Sequence, residues 1–293
     1  MDGHHRMRNC RFNYVVMLLG LVTLARAQTT PQVPAASTGT TVRVMVTIAS
    51  AGHTPVKSDV SAFVDGRPAQ VIEVASAKDQ QLIFAVLIDV SSSSRDKQAF
   101  EKKTSLELFR ALRTGENTGY FGDFDSELYL EKKPATIESI NAEMKRIGVF
   151  RGGTAFYDAV FRATQSVGRA PGQQTARRAL FVLTDGDDTA SYRSLKEATQ
   201  EAQRQGVVVF CIGLQASKKG AAGIRTLSAA TGGTALFLTR PDDYILSLLH
   251  VLQDQFWITL ALPAAGDNKL HTITLASSDT DARISAPTHI LVH

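Results

Sequence analysis

The stretch Leu82-Ile83-Phe84-Ala85-Val86-Leu87-Ile88-Asp89-Val90-Ser91-Ser92-Ser93 decides the fold. Its apolar part is unbroken. A strand with one wet face would alternate apolar and polar residues, so a continuous run ending in an acid and serines predicts a strand buried on both faces of a parallel sheet. Two runs of the same kind follow, Ala179–Leu183 and Val207–Ile212. Between and after them the apolar spacing changes to that of helices: Phe100, Leu108 and Leu112; Ile137, Ile140, Met144 and Ile147; Phe156, Val160, Ala163 and Val167; Leu195, Ala198 and Ala202. Pro241 opens a last helix whose apolar side carries Tyr244, Leu248 and Val251. Tyr120–Phe124 and Leu128–Leu130 read as an antiparallel pair at a sheet edge. Buried strands alternating with amphipathic helices over residues 81–256 predict an α/β domain, doubly wound, with a mainly parallel central sheet and helices on both faces.

On either side the pattern is that of β structure. Val42, Val44, Val46 and Ile48 alternate with other residues, and Asp65-Gly66-Arg67-Pro68 is a turn signal between Val60–Val64 and Val71–Val74. After the α/β region, Trp257–Leu262, His271–Ala276 and Thr288–Val292 read as strands. Segments 42–80 and 257–293 are expected to pack together into one small β module, because the ends of a domain commonly lie close together. Trp257, with Phe256, is expected where the α/β domain meets the C-terminal strands.

Residues 1–27 read as a secretory signal. His4, His5, Arg6, Arg8 and Arg11 make a basic start, Tyr14–Ala25 is a short apolar run, and Ala25-Arg26-Ala27 supplies a small-x-small cleavage site before Gln28. Residues 28–41, rich in Thr, Pro, Ala and Ser, read as a linker. The leader holds four of the arginines and one aspartate. Without it 28 basic and 27 acidic residues remain, and the net charge falls from +4 to +1. The basic balance thus belongs to the leader, and nucleic acid is not an expected partner. No apolar run reaches the ~18 residues that a spanning helix needs, so the expected location is secreted, periplasmic or cell envelope. The two cysteines, Cys10 and Cys211, cannot build a disulfide scaffold or a four-thiolate metal site. Loss of the leader would leave Cys211 alone, inside an apolar strand, as a buried structural thiol.

In an open α/β sheet, ligands bind beyond the carboxyl ends of the strands. Three loops are expected there: Asp89-Val90-Ser91-Ser92-Ser93, Gly152-Gly153-Thr154 and Thr184-Asp185-Gly186. They offer two carboxylates and well-spaced hydroxyls, hard oxygen donors that suit Mg²⁺ or Mn²⁺. Alternate positions 89, 91 and 93 of an extended loop can turn toward one point. Two carboxylates balance a divalent charge and leave coordination places open, and the natural guest is a carboxylate from another molecule.

Asp89-x-Ser91-x-Ser93, then Gly153-Thr154, then Asp185-Gly186 resembles the metal-ion-dependent adhesion site of von Willebrand factor type A domains, over roughly residues 80–256. Bacterial secreted members often place a short β region before the domain and another after it. The resemblance implies that Ser91 and Ser93 hold the metal directly. It also implies that Asp89 and Asp185 act mostly through bound water and that Thr154 joins or leaves with conformation. Ser92 and Ser94 stand where many members carry Gly or Met, and the ligand positions are intact.

An EF-hand reading of residues 89–100 fails, since Ser94 and Phe100 stand where Gly and Glu are needed. Asp187 and Asp188 are expected to cap the following turn, and Asp123 and Asp125 to solvate an edge strand. His53, His250, His271 and His289 lack metal-ligand spacing and are expected in surface or structural roles. The function expected is non-enzymatic: a secreted adhesion or protein-binding module whose cation bridges to an acidic group of a protein partner. A Mg²⁺-dependent hydrolase is the first alternative, though there is no G-x-S-x-G elbow and no histidine placed as a general base. A purely structural envelope protein is the second.

Overall fold

The computed structural model describes residues 39–49, 53–147, 152–237, 241–263 and 266–293. The expected leader (1–27) and most of the expected linker lie outside the described residues. In chain order the elements are β1 (Thr41–Ala49), β2 (Val60–Val64), β3 (Arg67–Ser76), β4 (Leu82–Asp89), α1 (Gln98–Leu112), β5 (Thr118–Phe124), β6 (Leu128–Leu130), α2 (Ile137–Arg146), α3 (Phe156–Arg169) and β7 (Arg177–Thr184). They continue with α4 (Leu195–Arg204), β8 (Val208–Gly213), α5 (Lys218–Ala230), β9 (Ala235–Leu236), α6 (Pro241–Gln253), β10 (Gln255–Ala261), β11 (Lys269–Ser277), β12 (Arg283–Ser285) and β13 (His289–Val292).

Two sheets form. The first has the order β6-β5-β4-β7-β8-β9, all parallel except the antiparallel edge strand β6. Every residue of β4 is buried, as its unbroken apolar run requires. Its alternate side chains feed two cores. Leu82, Phe84, Val86 and Ile88 join Phe109, Phe181, Phe210, Tyr244 and Leu248 on the face covered by α1 and α6, where the rings of Phe181 and Phe210 stack 5.2 Å apart. Ile83, Ala85 and Leu87 join Phe156, Val160, Leu180, Val209 and Ile224 on the face covered by α3, α4 and α5. From β4 the chain runs outward to β5 on one side, and after β6 it crosses back to β7 on the other side of β4. Its carboxyl end is therefore the switch point where a doubly wound sheet opens a crevice.

The second sheet is antiparallel, in the order β12-β1-β10-β3-β2-β11-β13, and is built from both terminal segments. Val44, Val46, Ile48, Phe256, Ile258, Leu260, Ile273, Ile290 and Val292 are among its buried residues. The expected β module is thus a single sheet. The α/β region is inserted between β3 and β10, which are direct neighbours in it, so the chain leaves and returns at one place.

That junction is polar and tightly bonded. Arg177, buried at the start of β7, donates to the carbonyls of Leu252 (2.9 Å), Lys78 (3.1 Å) and Gln80 (3.2 Å) and to Gln255 Oε1 (3.1 Å). Burial pulls its pKa down to about 10. Trp257 donates from Nε1 to Gln80 Oε1 at 2.7 Å and carries the Arg43 guanidinium over its ring. It occupies the place expected of it.

Candidate metal centre

Asp89 is the last residue of β4 and Thr184 the last of β7, and the parallel register that pairs Ile88 with Leu183 sets them side by side. Thr184 donates from its hydroxyl to Asp89 Oδ2 at 2.7 Å and accepts from the Gly186 amide at 2.9 Å. Gly186 has φ +74°, a backbone state that favours glycine, and this turns the chain sharply after Asp185. On the other side, the Ser91 amide donates to Asp89 Oδ1 at 2.9 Å, closing an Asx turn. Asp89 is therefore held at both oxygens by neutral donors.

Ser91 is buried and Ser93 is exposed, and their hydroxyls lie 3.2 Å apart. Ser93 lies close enough to Asp185 to help hold its pKa down, so the first loop comes up beside the third. Asp185 Oδ1 accepts from the Asp187 amide at 3.2 Å. Thr154 is buried, and its backbone braces the third loop: its carbonyl accepts from the Thr189 and Ala190 amides, and its amide donates to Thr189 Oγ1 at 2.9 Å. Ser92 donates to the Gly152 carbonyl at 3.1 Å and ties the first loop to the second. Asp89, Ser91 and Ser93 are joined by these bonds, and Asp185 lies close beside them. Among the described hydrogen bonds, none links the Thr154 hydroxyl to the other four.

A residue that pattern reading passed over completes the site. Lys97 closes a 3₁₀ turn, Ser92–Lys97, and its ammonium donates to Asp185 Oδ2 at 2.9 Å and to the Leu214 carbonyl at 3.4 Å. Both members of the ion pair are buried, with side-chain exposures of 9% and 5%. In the sequence Lys97 belongs to the charged run Arg95-Asp96-Lys97, which reads as solvated surface. The turn keeps residues 95 and 96 exposed and rotates 97 inward.

The two carboxylates differ electrostatically. Burial raises the Asp89 pKa above the ordinary carboxylate value, opposed in part by its Ser91 and Thr184 bonds and reinforced by the nearby Asp185 charge. Burial also pulls Asp185 upward. The Lys97 bond, the nearby Ser93 hydroxyl and the Lys97 charge outweigh it, and Asp185 stays below the ordinary value. Among the described residues no three His, Cys, Asp or Glu side chains gather in a metal-holding arrangement. A cation here must therefore rely on hydroxyls as well as two carboxylates. All the donors are oxygens, which fits Mg²⁺ or Mn²⁺.

Two neighbouring acids, Asp123 and Asp187, are placed otherwise than expected. Asp123 does not solvate an edge: it is buried within β5 and paired with Arg146 at 3.0 Å, and Arg146 also bonds Glu143. Burial and the adjacent Glu143 push Asp123 up to about 7. Asp188 accepts from Ser191 in the turn that follows it, as expected, and also from the Tyr157 amide at the start of α3, whereas Asp187 accepts from Ser217 and braces another element.

A family model for the von Willebrand factor type A domain matches residues 84–250, more than half of the chain. The chain belongs to the von Willebrand factor type A family. Solved structures similar to this family member include an aerotolerance-related membrane protein from Bacteroides fragilis NCTC 9343. It is 14% identical with a TM-score of 0.48, over 58% of this chain and 98% of that one. Manganese-loaded TRAP protein from Plasmodium vivax is 13% identical with a TM-score of 0.49, over 78% and 97%. The pilus adhesin SpaC from Lactobacillus rhamnosus GG, in an open conformation, is 8% identical with a TM-score of 0.48, over 83% and 46%. A search of the curated proteins finds no match. Among the described residues, no helix of this von Willebrand factor type A protein is long and apolar enough to cross a membrane.

Proposed function

We propose that this von Willebrand factor type A protein is an exported, non-enzymatic binding module of the cell envelope or its exterior. Residues 1–27 serve as the leader, 28–41 as a linker, 81–256 as the cation-binding domain, and 42–80 with 257–293 as its β support. Asp89, Ser91, Ser93, Thr154 and Asp185 hold Mg²⁺ or Mn²⁺, and the ion engages an acidic group presented by a protein partner.

The observation that carries this reading is the approach of Asp89 and Asp185 at the switch point of the sheet, with the paired Ser91 and Ser93 hydroxyls beside them. Two carboxylates match a divalent charge, and neutral hydroxyls leave the ion electrophilic toward a further carboxylate. When bound, the ion supplies that Lewis acidity. The chain's own residues do the rest. Thr184 and the Ser91 amide fix Asp89, the Asp187 amide fixes one oxygen of Asp185, and the Thr154 backbone holds the third loop against the second.

Capture from the parent cell envelope on immobilised protein tests the reading. A partner should be retained with Mg²⁺, released by chelator, and not retained by Asp185→Ala. Retention that ignores both treatments would contradict the cation-bridged mechanism.

A further inference from the structure

Lys97 gives the metal site a property that its ligand motif does not contain. The 3₁₀ turn places one cation of the chain inside the site, 2.9 Å from Asp185 Oδ2, in a buried ion pair. The bonds to Asp89 described above come from an amide and a hydroxyl, both neutral. Among the described ion pairs, Lys97 is the cation at the site, and it is paired with Asp185. A divalent ion would balance both carboxylates, but it would meet Lys97 already on one of its ligands.

A lysine ammonium and a divalent cation compete for the same carboxylate oxygen. The lysine has the advantage of tethering, which makes it a competitor at high effective concentration. Once Asp185 is taken, the ammonium cannot stay where it is. A buried charge without its counter-ion is strongly disfavoured, and the Leu214 carbonyl alone, at 3.4 Å, does not replace a carboxylate. The segment that must yield is short. Residues 92–97 form a 3₁₀ turn, whose hydrogen bonds are poorer than those of an α-helix, and most of its residues are already exposed.

We propose that Lys97 is an internal competitor of the metal, setting the divalent-ion concentration at which the site loads and moving to solvent when it does. This rests on the cation-binding reading above. Loading and exposure of Lys97 are then one event, and the surface offered to a partner by residues 92–97 differs between the two states.

Two measurements on the full chain test it. The first is brief acetylation of the wild-type protein with acetic anhydride, read by mass spectrometry. Lys97 is compared with Lys103, whose side chain is 62% exposed, in chelator and in saturating Mg²⁺. The Lys97-to-Lys103 labelling ratio should rise about tenfold with Mg²⁺. The second is Mg²⁺ titration by calorimetry, where Lys97→Met should bind about tenfold more tightly than wild type. Unchanged Lys97 labelling on loading, or equal or weaker Mg²⁺ binding by a folded Lys97→Met, would overturn the competitor role and leave the metal site standing. Absence of Mg²⁺ binding by both folded proteins would overturn the metal site itself and the inference with it. Should Lys97→Met fail to fold, the labelling experiment on the native chain decides alone.

Discussion

His271 receives a carboxylate on each ring nitrogen, Asp65 on Nδ1 at 2.6 Å and Asp267 on Nε2 at 2.8 Å. An imidazole donates from both nitrogens only when protonated. The bonds to Asp267 and Asp65 therefore raise its pKa above the ordinary histidine value. A raised folded-state value means that the stabilisation is complete below the unfolded histidine pKa of roughly 6.5 and is lost as pH rises through the folded value. His271→Asn should lower the melting temperature most near pH ~6 and least near pH ~9, because only the charged ring binds both acids. A deficit that grows with pH would contradict the assignment. Residue-level chemistry was legible where it depended on local spacing, as with Asp89, Ser91 and Ser93. It was not legible for His271, whose partner Asp65 lies far along the chain, or for Lys97, whose inward turn no charge pattern announces. Cys211 is buried and its thiol is pushed up to about 12, in keeping with the inert structural role expected of it.

Among the elements, the connection between β7 and α4 bears most directly on partner binding. It starts at Asp185, bonds the Thr154 backbone, and ends at the Ser194 cap of α4. Asp158 accepts from the Tyr192 and Arg193 amides at 3.0 and 2.9 Å, Ser191 donates to Asp188, and the Arg193 guanidinium covers the Phe161 ring. So braced, the loop presents Tyr192, a residue 99% exposed. An exposed tyrosine on a braced backbone offers large contact area at low entropic cost. Tyr192→Ala should weaken binding of the cation-dependent partner about tenfold, a loss of ~1.4 kcal/mol, and leave the melting temperature unchanged. Surface plasmon resonance against the captured partner would show it, and full retention of affinity would remove Tyr192 from the interface. Other elements explain what periodicity can and cannot find. α5 escaped notice because Gly220 and Gly223 interrupt its apolar pattern. Gly220 is needed there, since a Cβ would lie 2.4 Å from the Asp185 carbonyl oxygen. β12 and β9 span three and two residues, too short to carry an alternation signal.

Across the whole molecule, the buried apolar runs were enough to predict a doubly wound sheet. The alternating strands at both ends were enough to predict a β module. The strand order of that module was not legible, because it depends on which edges meet. Insertion of the α/β region between neighbouring strands β3 and β10 gives it a support held by Arg177 and Trp257. The proposed metal site sits at the carboxyl end of β4 and β7, opposite the junction, where the Arg177 end of β7 enters. The junction and the proposed cation site thus occupy opposite ends of one sheet. The central claim is that Asp89 and Asp185 act together on a divalent cation. The most direct test is titration with Mn²⁺, with the free ion counted by electron paramagnetic resonance. Wild-type protein should remove one Mn²⁺ per chain from solution, and the folded Asp89→Asn/Asp185→Asn double variant should remove none. Equal depletion by both, or none by either, would contradict the account.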